Sequence, residues 1–147
     1  MQYRCKSDLS QRPHSFTLEK VLKANANDIY EAWTTKFDSW FGQPGETFMT
    51  PEVGRPFFFY NRHDWGRHAH YGRFTELERD KLVEMTWVTG TPGTNGTETV
   101  LRVELIPSEN GTTVQLTQSG FEDEESCKGH QENWPAALDT LEEVLLS

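Results

Sequence analysis

The only histidine cluster of the chain lies near its middle and consists of His63, His68 and His70. His68 and His70 are two residues apart, so on a strand their side chains share one face, and His63 would approach them across a turn. Converging imidazoles suit zinc, and Asp64 could supply a fourth ligand. The charged neighbours make a solvated hairpin end the simpler interpretation. We therefore predict no metal site and no bound cofactor.

A second candidate is His130, which precedes Trp134 by about one helical turn. At the mouth of a cavity its imidazole could orient a polar ligand or act as an acid or base near neutral pH. The alternative is a histidine at the edge of the core, satisfied by one hydrogen bond. Cys127 lies three residues earlier, but a nucleophilic pair also needs an orienting group and an oxyanion site, and the sequence shows neither. We predict no catalytic residue.

Three glutamates, Glu76, Glu78 and Glu84, fall on two strands of a predicted hairpin. A catalytic pair of carboxylates needs burial to shift a pKa, and a chain with 23 acidic residues produces such pairs by chance. We predict a solvated sheet edge there. The glycine-rich loop at residues 91–96 matches no phosphate-binding motif and is predicted to be at most a mobile flap.

Aromatic residues make up 12% of the chain, more than a minimal core requires. Some would pack the core, and others would line an apolar cavity with few polar groups, as in ligand pockets. The sequence does not fix which face of each strand points toward the core, because a single bulge reverses the alternation. His130 or Tyr71 would add a polar group for specificity. The predicted ligand-binding residues are Trp40, Phe57, Phe59, Phe74, Met85, Trp87, His130 and Trp134.

The longest element that could position these residues is a helix at the end of the chain. From Trp134 to Leu145, apolar residues recur at three- and four-residue steps, which predicts one buried helix face. Residues 122–125 are all acidic, and negative charge is favoured where a helix begins. Pro135 predicts either a kink or a restart of the helix.

The remaining elements are predicted to form a sheet that covers this helix. Residues 1–14 would be a loosely ordered arm, and residues 15–147 a single domain. A strand near residues 16–22 precedes two short helices, the first capped by Asn25. From residue 47 to 119, alternating apolar residues and tight turns predict sequential antiparallel strands. The predicted fold class is α+β.

Charge and cysteine content restrict the classes of function and location. The formal net charge of -9 argues against a nucleic-acid or anionic-membrane binder. The two cysteines form no disulfide framework, which fits a reducing compartment. The chain shows neither a signal-peptide pattern nor the ~20 apolar residues of a membrane span. We expect a cytoplasmic protein.

Several short segments follow one another in a recognisable order: Ala24 to Trp33, Trp40-Phe41, Val53-Gly54, Gly72-Arg73-Phe74, Leu82 to Trp87, and His130 with Trp134, Leu138 and Leu141. This order resembles the domains homologous to the activator of the heat-shock-protein-90 ATPase, within the START-like, birch-pollen-allergen-type superfamily. The resemblance covers residues 15–147. This chain differs at Gly54-Arg55-Pro56, where Gly-Gly is usual, and at Asn133-Trp134-Pro135, where Gly-Trp is common.

The resemblance implies a helix-grip fold, in which a curved antiparallel sheet wraps a long C-terminal helix and a cavity between them binds small hydrophobic ligands. We therefore expect a small apolar or aromatic partner without covalent chemistry, and a homodimer is compatible with this architecture. One alternative is a cyclase- or hydrolase-like enzyme that uses His130 or a buried carboxylate. Another is a module that stimulates a chaperone ATPase, but the chaperone activator has an additional N-terminal domain for which this chain has no room.

Overall fold

Seven antiparallel strands and a long C-terminal helix form the fold in a computed structural model that describes residues 6–147. The strands are β1 (His14–Leu22), β2 (Thr47–Phe48), β3 (Pro56–His63), β4 (Gly66–Glu78), β5 (Leu82–Thr89), β6 (Thr99–Ser108) and β7 (Gly111–Phe121). The helices are α1 (Ala26–Ala32), a 3-10 helix (Phe37–Ser39) and α2 (Glu124–Leu146). The strand order β1-β7-β6-β5-β4-β3-β2 confirms the predicted α+β helix-grip fold.

The C-terminal helix α2 begins at a capped and acidic end. The side chain of Asp123 accepts a hydrogen bond from the backbone N–H of Ser126 at 2.8 Å, which satisfies one otherwise unpaired donor. The helix then continues without interruption through Pro135 for 23 residues, about 34 Å at ~1.5 Å per residue. Of the two alternatives for Pro135, a restart of the helix is therefore not observed. None of the helices within residues 6–147 combines the length and apolar character that crossing a membrane requires.

The pairing of the strands decides which side chains face α2. Phe16, Gln118, Leu101, Met85 and Phe74 lie opposite one another in a row that crosses five strands, and all five are buried. This row belongs to the inner face of the sheet. A bulge in β4 after Phe74 then changes the phase of that strand, so the side chains beyond it face the other way.

This change of phase places Glu76 on the outer face beside Glu84 of β5, which alternates with the inward-facing Met85 and is buried. Arg102 Nη1 donates to Glu84 at 2.7 Å and to Glu76 at 2.9 Å, and Thr75 donates to the other Glu84 oxygen at 2.8 Å. The expectation of a solvated edge is therefore wrong for Glu84, because the strands on both sides of β5 cover it. Both oxygens of the Glu84 carboxylate accept hydrogen bonds, and the group lies on the side of the sheet away from α2.

Residues 6–13, within the predicted N-terminal arm, are bonded to the sheet. Arg12 donates to the backbone carbonyls of Gly120 and Glu98, both at 2.8 Å. A Cβ at Gly120 would lie 2.6 Å from the Leu9 side chain, so glycine allows this close approach. These contacts differ from the loose arm that the polar composition predicts. The first part of that arm, residues 1–5, lies outside the described residues.

Leu141 tests the packing of α2 against the sheet. Its side chain is fully buried, whereas Leu146 on the same helix is 56% exposed. We expect Leu141→Ala to lower the free energy of unfolding by about 2–5 kcal/mol, because it leaves a cavity in the core. Leu146→Ala should change it by less than about 0.5 kcal/mol. Urea denaturation followed by circular dichroism measures both, and equal midpoints for Leu141→Ala and the parent would contradict this placement.

Candidate functional site

A pocket of about 760 Å³ opens between the first half of α2 and the end of the sheet where β3, β4 and β5 meet the loop after β5. Its volume falls within the range of about 300–1,000 Å³ that is typical of small-molecule sites. The sheet contributes Asn61, His68 and His70 to its wall, and α2 contributes Gly129 and His130.

Three aromatic rings form the apolar wall of the pocket. Phe41 lies 5.6 Å from Trp134, nearly parallel to it, and 5.6 Å from Trp87, with distances measured between ring centroids. Trp87 and Trp134 are also 5.6 Å apart, so the three rings contact one another pairwise. His70 extends this wall, with its ring 5.1 Å from that of Trp87.

A chain of buried hydrogen bonds fixes the two tryptophans. Trp134 Nε1 donates to the side-chain oxygen of Gln118 at 2.8 Å, and Gln118 Nε2 donates to the Thr99 hydroxyl at 3.1 Å. Thr99 in turn donates to the backbone carbonyl of Trp87 at 2.7 Å. Gln118 and Thr99 are fully buried, so each of their polar groups depends on a protein partner.

The three clustered histidines all line the pocket. His68 and His70 lie on the inner face of β4, opposite Asn61 and Phe59. His70 stacks on Phe59, with ring centroids 4.5 Å apart and planes within 9°. His63 is at the hairpin end, with its ring 5.8 Å from that of His68. Within residues 6–147, no group of three or more histidine, cysteine, aspartate and glutamate side chains is placed to hold a metal ion.

Burial favours the uncharged imidazole of His68, His70 and His130. Burial, reinforced by the neighbouring His68, lowers the pKa of His70 to about 3. Burial also lowers the pKa of His68 and that of His130. The pKa of the Cys127 thiol is raised by burial and by Glu124, the opposite of what an activated nucleophile requires.

The loop after β5 is bonded to itself and to the start of α2. The backbone N–H of Thr89 donates to the Thr94 hydroxyl, and that of Thr94 donates to the Thr89 hydroxyl, both at 2.8 Å. The side chain of Asn95 donates to Glu122 at 2.8 Å and to Ser126 at 3.2 Å. The structure therefore shows a turn held by hydrogen bonds where the composition predicts a mobile flap.

The family model described as Activator of Hsp90 ATPase homolog 1-like protein matches residues 23–146. The chain belongs to this family. Its fold resembles protein MLL2253 from Mesorhizobium loti, with 22% identity and a TM-score of 0.74, over 89% of this chain and 96% of that one. It also resembles CV1439 from Chromobacterium violaceum, with 19% identity and a TM-score of 0.76, over 90% and 98% of the two chains.

A third similar structure is described as the Aha1 dimer from Colwellia psychrerythraea, with 23% identity and a TM-score of 0.67, over 89% of this chain and 95% of that one. A search among curated proteins found no match. Membership of the Activator of Hsp90 ATPase homolog 1-like family confirms the resemblance inferred from the sequence, and the solved structures support the helix-grip fold.

In this member of the family, three of the eight predicted ligand-binding residues line the pocket: Trp87, His130 and Trp134. The other five are core residues or pack against the core: Trp40, Phe57, Phe59, Phe74 and Met85. Tyr71 is 52% exposed on the outer face, so the expectation that it adds a polar group to the cavity is wrong. It alternates with His70, and only one of two consecutive strand residues can face inward.

Sequence reasoning did not include Phe41 and Gln118 among the site residues. Phe41 directly follows Trp40, and nothing local indicates which of the two rings reaches the pocket. Gln118 does leave a signal, because it continues the inward alternation of Val114 and Leu116 with a polar side chain. A polar residue at such a position requires a buried partner.

Gln118 can be tested by removing its hydrogen bonds while keeping its length. Gln118→Met leaves the Trp134 indole N–H without an acceptor and removes the donor to the Thr99 hydroxyl, so we expect a loss of about 1–3 kcal/mol in unfolding free energy. The near-ultraviolet circular dichroism should also change, as Trp134 loses its fixed orientation. Gln115→Met, on the outer face of the same strand, is the matched control. An unchanged spectrum and an unchanged stability for Gln118→Met would contradict the role of this hydrogen-bond chain in fixing Trp134.

Burial of His70 predicts a particular dependence of stability on pH. The folded protein holds this imidazole neutral down to a pKa of about 3, whereas the unfolded chain takes up the proton near 6.5. Stability should therefore fall as the pH falls through this window, by up to ~1.4 kcal/mol per pH unit. His70→Phe, which can stack on Phe59, should reduce that slope, while His68 and His130 stay in both proteins. Urea denaturation at several pH values gives the stability of both proteins. If the stability of the parent and that of His70→Phe fell equally with pH, this would argue against burial of a neutral His70.

Proposed function

We propose that the protein binds a small apolar or aromatic molecule in the pocket between α2 and the sheet, in the cytoplasm. The observation that carries this proposal is the wall formed by Phe41, Trp87 and Trp134, which faces about 760 Å³ of open volume. A ligand that buried ~200 Å² of apolar surface there would gain about 5 kcal/mol before the costs of association. The free, buried Cys127 fits a reducing compartment.

Binding is favoured over the cyclase- or hydrolase-like alternative by the state of the candidate groups. Glu84, the buried carboxylate, lies on the outer face and is engaged by Arg102 and Thr75. Asp123 lines the pocket, but its carboxylate caps α2. His130 would be the acid or base of an enzyme, and no described carboxylate hydrogen-bonds to it. The chaperone-ATPase alternative would require a surface outside the pocket.

Gly129 offers a way to fill the pocket without disturbing the core. It lines the pocket on α2, and a Cβ built there meets no atom within 4 Å. We expect Gly129→Trp to weaken binding of the neutral fluorescent probe N-phenylnaphthylamine by at least about tenfold, because the indole occupies the ligand volume. Replacing a helical glycine should not lower the melting temperature.

The matched control is Lys128→Trp, at the preceding, exposed position of the same helix, which should keep the parent affinity. Native mass spectrometry of freshly purified parent and Gly129→Trp gives an independent measure of any retained ligand. Equal probe affinity of both variants and the parent would argue against the pocket as the binding site. Absence of probe binding to the parent would count against the proposed function itself.

A further inference from the structure

Two pocket histidines have their protonated nitrogen fixed by the backbone. His70 Nδ1 lies 3.2 Å from the backbone carbonyl oxygen of His68, and His130 Nδ1 lies 2.8 Å from that of Ser126. A carbonyl oxygen only accepts hydrogen bonds, so Nδ1 must carry the hydrogen in both rings. In a neutral imidazole the other nitrogen, Nε2, then has a lone pair and no hydrogen. Both rings line the pocket as hydrogen-bond acceptors.

The two acceptor rings differ in how accessible they are. His70 is 5% exposed and stacks on Phe59, whereas His130 is only partly buried. His130 precedes Trp134 by about one helical turn, which places its ring near the aromatic wall. A ligand with a hydrogen-bond donor would make a bond to Nε2 of His130 that an apolar ligand cannot make.

The charges around the pocket disfavour an anionic ligand. Neither lysine nor arginine is among its described lining residues, whereas the carboxylates of Asp123 and Glu125 are. The lowered pKa values of His68, His70 and His130 keep these rings from serving as cations at neutral pH. A buried carboxylate or sulfonate would therefore meet lone pairs and negative charge with no compensating cation, which is unfavourable.

We propose that the pocket selects neutral aromatic molecules that carry a hydroxyl or N–H group, with His130 Nε2 accepting that hydrogen. Trp87 and Trp134 contact the aromatic ring of the ligand, and the acceptor nitrogen of His70 extends the same polar surface. The inference rests on the proposed function and adds to it the chemical class of the ligand. It excludes fatty acids and other carboxylates as preferred ligands.

Three probes with one ring system separate the contributions of ring, donor and charge. β-Naphthol carries a donor and is neutral at neutral pH, its methyl ether lacks the donor, and β-naphthoate carries a negative charge. Isothermal titration calorimetry on the full chain should show β-naphthol binding about tenfold more tightly than its methyl ether, the effect of one net hydrogen bond. β-Naphthoate should bind more weakly than either neutral probe.

Substitution of His130 assigns the preference to a residue. His130→Phe keeps a ring of similar shape but removes the acceptor, so it should reduce the preference for β-naphthol over its ether to near unity. Affinity for the ether should stay within about twofold of the parent, since the aromatic wall is intact. His14→Phe, on β1 and outside the pocket, is the matched control and should keep the full preference. Thermal denaturation verifies that both variants are folded.

The outcomes distinguish this inference from the proposed function. Equal affinity of the parent for β-naphthol and its ether overturns the donor preference and leaves ligand binding standing. A preference that survives in His130→Phe overturns the assignment to His130, and tightest binding of β-naphthoate overturns the exclusion of anions. If none of the three probes binds the parent, the proposed function fails together with the inference.

Discussion

The buried hydrogen-bond chain through Gln118 is the constraint that sets α2 in one position on the sheet. Gln118 accepts a hydrogen bond from the Trp134 indole and donates one to the Thr99 hydroxyl. Thr99 in turn donates to the backbone carbonyl of Trp87. Moving α2 by one turn would bury these polar groups without partners, at a cost of about 1–3 kcal/mol for each. Apolar burial supplies most of the stabilisation, but it changes little when the helix slides along the sheet. The chain of polar groups is broken by such a movement, because hydrogen bonds have narrow geometric limits.

The pocket exists because both facing surfaces lose their bulky apolar side chains at the same end. Along α2, the buried Leu138 and Leu141 give way to Gly129 near its start. Along the sheet, the fully buried Phe59 is followed on the inner face of β3 by the partly exposed Asn61. Aromatic packing therefore fills one half of the space between helix and sheet and leaves the other half open.

Charged groups are distributed unequally between the two faces of the sheet. Arg102 joins Glu76 and Glu84 on the outer face, where Lys6 adds a further ion pair with Glu76. The inner face carries neutral imidazoles and amides, and carboxylates at the start of α2 complete the pocket wall. The net charge of -9 therefore says little about the pocket. Family membership likewise establishes the fold, while the proposed ligand preference rests on the side chains at this one end.

The sequence by itself determined the elements and their order, because helix periodicity, strand alternation and the Asn25 cap are local patterns that recur within a few residues. It also placed the helix side of the pocket close to Trp134. Tertiary structure decided the rest. The bulge after Phe74 turned Glu76 to the outer face beside the buried Glu84, and the role of Gln118 depends on its hydrogen-bond partner on α2. The physical reason is that pairing register and long-range hydrogen bonds join residues distant in the chain, whereas a local pattern describes only its own segment.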